Sequence, residues 1–73
     1  MSLLYYQFDV SGFSAEERQS VASALDMRAY TGCIFDAKNR DRYYAFFPES
    51  EDPEILKKYF PVFEKCRITR SLP

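Results

Sequence analysis

Four carboxylates fall within six residues, at Glu49, Glu51, Asp52 and Glu54. A calcium loop could use such a cluster, but it needs alternating Asp-x-Asp ligands and a glycine at its turn, and this stretch has neither. Acidic side chains at a helix start, where the peptide dipoles favour negative charge, explain the cluster better. Glu16 and Glu17 are adjacent, so on a helix they point apart and form no acid–base pair. The chain contains no His. That removes the commonest general base and metal ligand, and it leaves every Ser and Cys without the usual activating partner. Cys33 and Cys66 are too few for a disulfide framework or a zinc site, and they are expected as reduced, partly buried packing residues. Gly12 and Gly32 are the two glycines, so no Gly-rich phosphate loop is present. These residues predict a non-catalytic protein with no metal and no cofactor.

The basic residues are spread in the same way. Lys38, Arg40 and Arg42 flank Asn39 and alternate with Asp36 and Asp41, as solubilising residues do around a turn. Lys57, Lys58, Lys65, Arg67 and Arg70 fall on several faces. Ten basic and eleven acidic residues leave a net charge of −1, which argues against strong non-specific nucleic-acid binding.

Seventy-three residues make one α+β domain spanning 1–73. A chain this short buries only about 60% of its unfolded surface, and seven Phe and six Tyr offset that. No signal peptide and no membrane-length apolar run is visible, so a soluble, cytoplasmic protein is expected, with no membrane partner.

The elements follow in order. Leu3–Val10 alternates with period two and reads as a half-buried strand. Ser14 and Glu17 have the spacing of a capping box, which starts a helix running to about Met27. Ala29–Asp36 is β-branched and aromatic and reads as a second strand, with a bulge at Gly32. A turn with Asn39 in the left-handed conformation leads into a third strand, Arg42–Phe47, stopped by Pro48. Asp52 and Pro53 start a second helix, with Glu54 and Lys58 as an i,i+4 pair, ended or kinked at Pro61. Lys65–Leu72 is the fourth strand, with Cys66, Ile68 and Leu72 facing in. The order β-α-β-β-α-β predicts a ferredoxin-like sandwich: a four-stranded antiparallel sheet with two helices on one face. The second and fourth strands would then be opposite edges, too far apart for a Cys33–Cys66 bridge.

Side-chain parity divides the sheet into two faces. Leu4, Tyr6, Phe8 and Val10 face the helices. An Asn39 turn that pairs Asp36 with Arg40 puts the odd residues Ala29 to Phe35 and Tyr43 to Phe47 beside them. The open face then carries Tyr5, Gln7, Tyr30, Ile34, Arg42, Tyr44, Phe46, Arg67 and Thr69. An aromatic face beside arginines suits a protein–protein surface, whether for a homodimer or for another protein. The function expected is a small binding module of adaptor, regulatory-subunit or inhibitor type. A register with Tyr44 and Phe46 in the core would leave an ordinary surface instead.

Arg42-Tyr43-Tyr44-Ala45-Phe46-Phe47 also partly resembles the RNP1 signature of the RNA-recognition motif, with Leu4-Tyr5-Tyr6 in the place of its strand-one partner. That resemblance implies single-stranded RNA stacking on Tyr5, Tyr44 and Phe46. Tyr43 stands where the family has glycine, Glu49 takes the place of its last aromatic, and strand one lacks the Asn-Leu ending. Nucleic acid is therefore the alternative partner.

Overall fold

The computed structural model of the chain describes residues 2–71. Leu3–Asp9 forms β1 and Ala15–Arg28 forms α1. The predicted capping box closes the start of α1: the Ser14 hydroxyl accepts from the Glu17 N–H, and the Glu17 carboxylate accepts from the Ser14 N–H. Ile34–Phe35 is β2, Arg42–Pro48 is β3 and Arg67–Ser71 is β4. The sheet has the order β2-β3-β1-β4, with antiparallel pairing at each step. The expected inward position of Leu72 lies outside the described residues.

The core takes one face of this sheet. Phe8 and Val10 of the β1 segment, Ala45 and Phe47 of β3, and Val21, Ala24 and Leu25 of α1 are buried together with Leu56, Phe63 and Cys66. Burying a side chain of the Phe, Leu or Val class contributes about 1.5–3 kcal/mol, so this cluster is the main source of stability. Arg18 ties α1 to the β2–β3 turn through the Arg40 carbonyl and the Asp41 carboxylate, the latter at 2.8 Å.

The fourth strand begins at Arg67 rather than Lys65, because 3₁₀ winding runs through Lys65, and three further elements differ from expectation. The second strand is two residues long rather than eight. Gly32 takes a φ of 73° and breaks it, and the Asp26 carboxylate accepts the Cys33 N–H at 2.8 Å, drawing that segment toward α1. Upstream, the Tyr30 N–H donates to the Phe46 carbonyl and the Thr31 hydroxyl accepts from the Phe46 N–H, so the ladder is replaced by isolated bonds. Phe35, expected in the core, is 64% exposed at this edge.

The second helix is broken. Pro53–Ile55 is a 3₁₀ turn, Leu56–Tyr59 (α2) is a single α-helical turn, and Pro61–Lys65 is 3₁₀ again. Pro61 forces Phe60 into an extended conformation (φ −131°, ψ 100°), which stops propagation after one turn. The Asp52 cap forms as expected. Glu54 pairs with Lys57 at i,i+3 rather than with Lys58, because the chain winds tighter than an α-helix here.

The Asn39 turn is also different. Among the described residues only glycines have positive φ, so Asn39 is not left-handed. Its side chain instead accepts the Asp41 N–H, and Asp36 accepts the Lys38 N–H. The hairpin pairs Ile34 with Tyr44 and Phe35 with Tyr43, two residues away from the expected register. A slip of two preserves parity, so Ile34 and the β3 residues Tyr43 to Phe47 keep their expected faces, whereas Tyr30 and Thr31, outside the ladder, and Phe35, at its edge, are exposed. Among the described residues no helix is long and apolar enough to cross a membrane.

Candidate functional site

The open face follows from the cross-strand register. Tyr5 stands opposite Phe46 on β3 and Ser71 on β4. Gln7 stands opposite Tyr44 and Thr69, and Ile34 extends that row on β2. Asp9 stands between Arg42 and Arg67. The face therefore has an aromatic end, a mixed middle and a charged end.

The aromatic end is tightly organised. Tyr5 and Phe46 have ring centroids 4.5 Å apart and tilted by 37°, while Tyr5 and Tyr44 stack at 5.2 Å and 8°. The Tyr44 hydroxyl reaches the Gln7 side-chain carbonyl at 3.5 Å, the long limit for a hydrogen bond. Tyr5, Ile34, Asp36, Tyr44 and Ser71 line a depression beside this cluster. The Tyr5 phenol is raised above its ordinary pKa by burial first, then by Tyr44 and by the Asp36 carboxylate.

At the charged end, Asp9 is held below the usual carboxylate range. Ser11 is the chief cause: its hydroxyl donates at 2.6 Å and its backbone N–H at 2.9 Å, with Arg42 and Arg67 adding smaller effects. Arg42 and Arg67 are exposed, and among the described residues neither forms an ion pair. Two guanidiniums beside one carboxylate already engaged by Ser11 leave this end cationic.

Of the residues expected at the site, Tyr5, Gln7, Ile34, Arg42, Tyr44, Phe46, Arg67 and Thr69 share this face. Tyr30 does not belong to the ring cluster. It lies in the bend after α1, is 65% exposed, and meets β3 through its backbone. Asp9 and Asp36 were missed as site residues. Alternation along the first strand already sets Asp9 on the side of Tyr5 and Gln7; Asp36 follows the two-residue β2 and comes near Tyr5 only through the observed path of the chain.

The rings of this face are half-buried against one another rather than fully exposed. The most exposed large apolar side chains lie elsewhere: Met27 at 68% and Tyr59 at 54% on the helical side, and Tyr30 and Phe35 near the β2 edge. A second groove runs between α1 and the broken helix, lined by Ser20, Ser23, Ala24, Met27 and Phe60.

The acidic stretch does not form a cation cage. Asp52 caps the 3₁₀ turn, Glu54 pairs with Lys57, and among the described residues no three His, Cys, Asp or Glu side chains converge to hold a metal. Cys33 and Cys66 are both free thiols, and burial pushes them up to about 12 and about 11 respectively, which disfavours the nucleophilic thiolate. Comparison with known proteins found no matching family model, no matching curated protein and no matching solved structure.

Proposed function

We propose that the chain is a small, non-catalytic, cytoplasmic protein-binding module of ferredoxin-like type, of adaptor, regulatory or inhibitor class, working through its open sheet face. The strand order β2-β3-β1-β4 and the shared core of α1 with residues 53–65 support the fold assignment. One observation carries the function: the Tyr5–Tyr44–Phe46 cluster is packed on the uncovered face, whose other end carries two arginines that have no ion-pair partner among the described residues. Aromatics and Arg are the residue types that dominate interface centres. A ring cluster already ordered before binding loses less entropy on docking.

RNA stacking is the alternative. Tyr5, Tyr44 and Phe46 do come together as the RNP1 resemblance requires. Yet Tyr5 has Tyr44 stacked on it and Phe46 tilted against it, so much of its π surface is already used. Stacking platforms need free ring faces and a basic groove.

Phe46→Asp combined with Tyr44→Ala tests the reading, with light-scattering mass and partner capture as readouts. The variant is expected to melt cooperatively and to lose association with itself or with a partner protein. Association that survives unchanged overturns the proposal. Salt-sensitive oligonucleotide binding that is lost on Tyr44→Ala moves the function to nucleic acid.

A further inference from the structure

Charge is laid out along β3 in a self-complementary way. Arg42 begins the strand, exposed and with no ion pair among the described residues. Pro48 ends it, and Glu49, Glu51 and Asp52 follow at once, all exposed and also without ion pairs among the described residues. The strand separates the two charges by about 20 Å at ~3.3 Å per residue. Phe46 lies four residues after Arg42 and three before Glu49. With its cross-strand partner Tyr5, it sits close to the midpoint.

Resting on the reading that the open face is the working surface, we propose that its occupant is a second copy of this chain, packed face to face with its strands reversed. A twofold axis then lies in the face, across the strands, and passes by Tyr5 and Phe46. It brings Arg42 of each protomer to the far end of the other's β3, where the acidic loop begins. The aromatic rings meet their own copies at the centre, as an isologous interface requires. The opposite arrangement, with strands in the same direction, sets Arg42 against Arg42 and the acidic loops against each other, which like-charge repulsion disfavours.

The size of the face sets the strength. Four strands span about 19 Å and the longest run about 20 Å, so each copy offers roughly 400 Å², less than a standard specific interface and in the range of weak, transient ones. The dimer is accordingly weak and concentration-dependent. A net charge of −1 puts little global repulsion against it.

Sedimentation over a concentration series, at low and high salt, tests the assignment. Expected are a dimer that weakens with salt, and a rise of at least about tenfold in its dissociation constant on Arg42→Glu. The charge swap Arg42→Glu with Glu49→Arg and Glu51→Arg should bring it back. Arg42 is exposed, so these variants spare the core. A wild-type chain that stays monomeric at roughly millimolar concentration overturns the second copy as occupant. The open-face reading would then still stand on its own test with other partner proteins. A dimer indifferent to both Arg42→Glu and Phe46→Asp overturns both. A dimer lost on Phe46→Asp but unmoved by Arg42→Glu, or one that the charge swap fails to restore, keeps the face and overturns the reversed arrangement.

Discussion

Tyr5 and Phe46 face each other directly across β1 and β3 on the side of the sheet that the helices leave open, with ring centroids 4.5 Å apart. Alternation puts Tyr5 and Phe46 on the same side, the register puts them opposite, and their packing orders the surface proposed to bind.

The first prediction concerns that pair. A double-mutant cycle of Tyr5→Ala and Phe46→Ala, read by urea unfolding, should return a coupling energy of about 0.5–1.5 kcal/mol. Additive losses would mean that the rings are neighbours without mutual stabilisation.

Glycine substitutions should separate two kinds of turn. Gly12 and Gly32 both have positive φ, but a Cβ at Gly12 meets nothing within 4 Å, whereas one at Gly32 comes 2.8 Å from Asp26 Oδ1. Gly12→Ala should cost roughly 1 kcal/mol from backbone strain alone. Gly32→Ala should cost clearly more, because that Asp26 oxygen must move and release the Cys33 N–H. Equal thermal shifts in the two variants would contradict the account of why β2 is short.

Acid should act through Asp9. Its folded-state pKa is lowered, chiefly by Ser11 and then by Arg42 and Arg67. The fold therefore favours the carboxylate. Its contribution is full above the unfolded value, near 3.9, and disappears as pH falls through the lower folded value. Asp9→Asn should be less stable than wild type at pH 7, with the gap closing as pH drops below the ordinary carboxylate range. Urea midpoints across pH check this; a constant gap would rule out the charge.

Thiol reactivity gives a fourth check. Burial is the first cause raising both cysteines, to about 12 for Cys33 and about 11 for Cys66, with nearby carboxylates adding to it. At pH 8 the folded protein should label slowly at both positions, and urea should release both. Rapid labelling of Cys66 in the native state would contradict its burial behind β1 and β4.

The two faces of the sheet were legible in the sequence because period-two alternation is robust. The observed hairpin register differs from the expected one by two residues, at Ile34–Tyr44, and the β3 side chains with Ile34 keep their faces, whereas Tyr30, Thr31 and Phe35 do not take the places that alternation gives them. The turn itself was not legible: Asn39 can adopt a left-handed backbone or accept a local N–H, and here it accepts. Two strong strand signals, Tyr30 and Thr31, were overridden by the Gly32 turn and the Asp26 side chain, which is contributed from α1. Pro61 predicts a stop or kink, and because it follows so soon after the Pro53 start, the extended Phe60 that it imposes leaves a single α-helical turn. At the site, Tyr5, Tyr44 and Phe46 were found by parity. Their half-burial in one another was not, because it depends on ring orientations that composition does not encode.

The central claim is that the open sheet face, and not the helical side, is the working surface. Amide and aromatic chemical shifts followed by NMR, as the chain is concentrated or mixed with a binding protein, test it most directly. The account predicts that perturbed signals cluster at Tyr5, Gln7, Ile34, Arg42, Tyr44 and Phe46. Perturbations confined to Ser20, Ser23, Met27, Tyr59 and Phe60, around the groove between α1 and the broken helix, would contradict it.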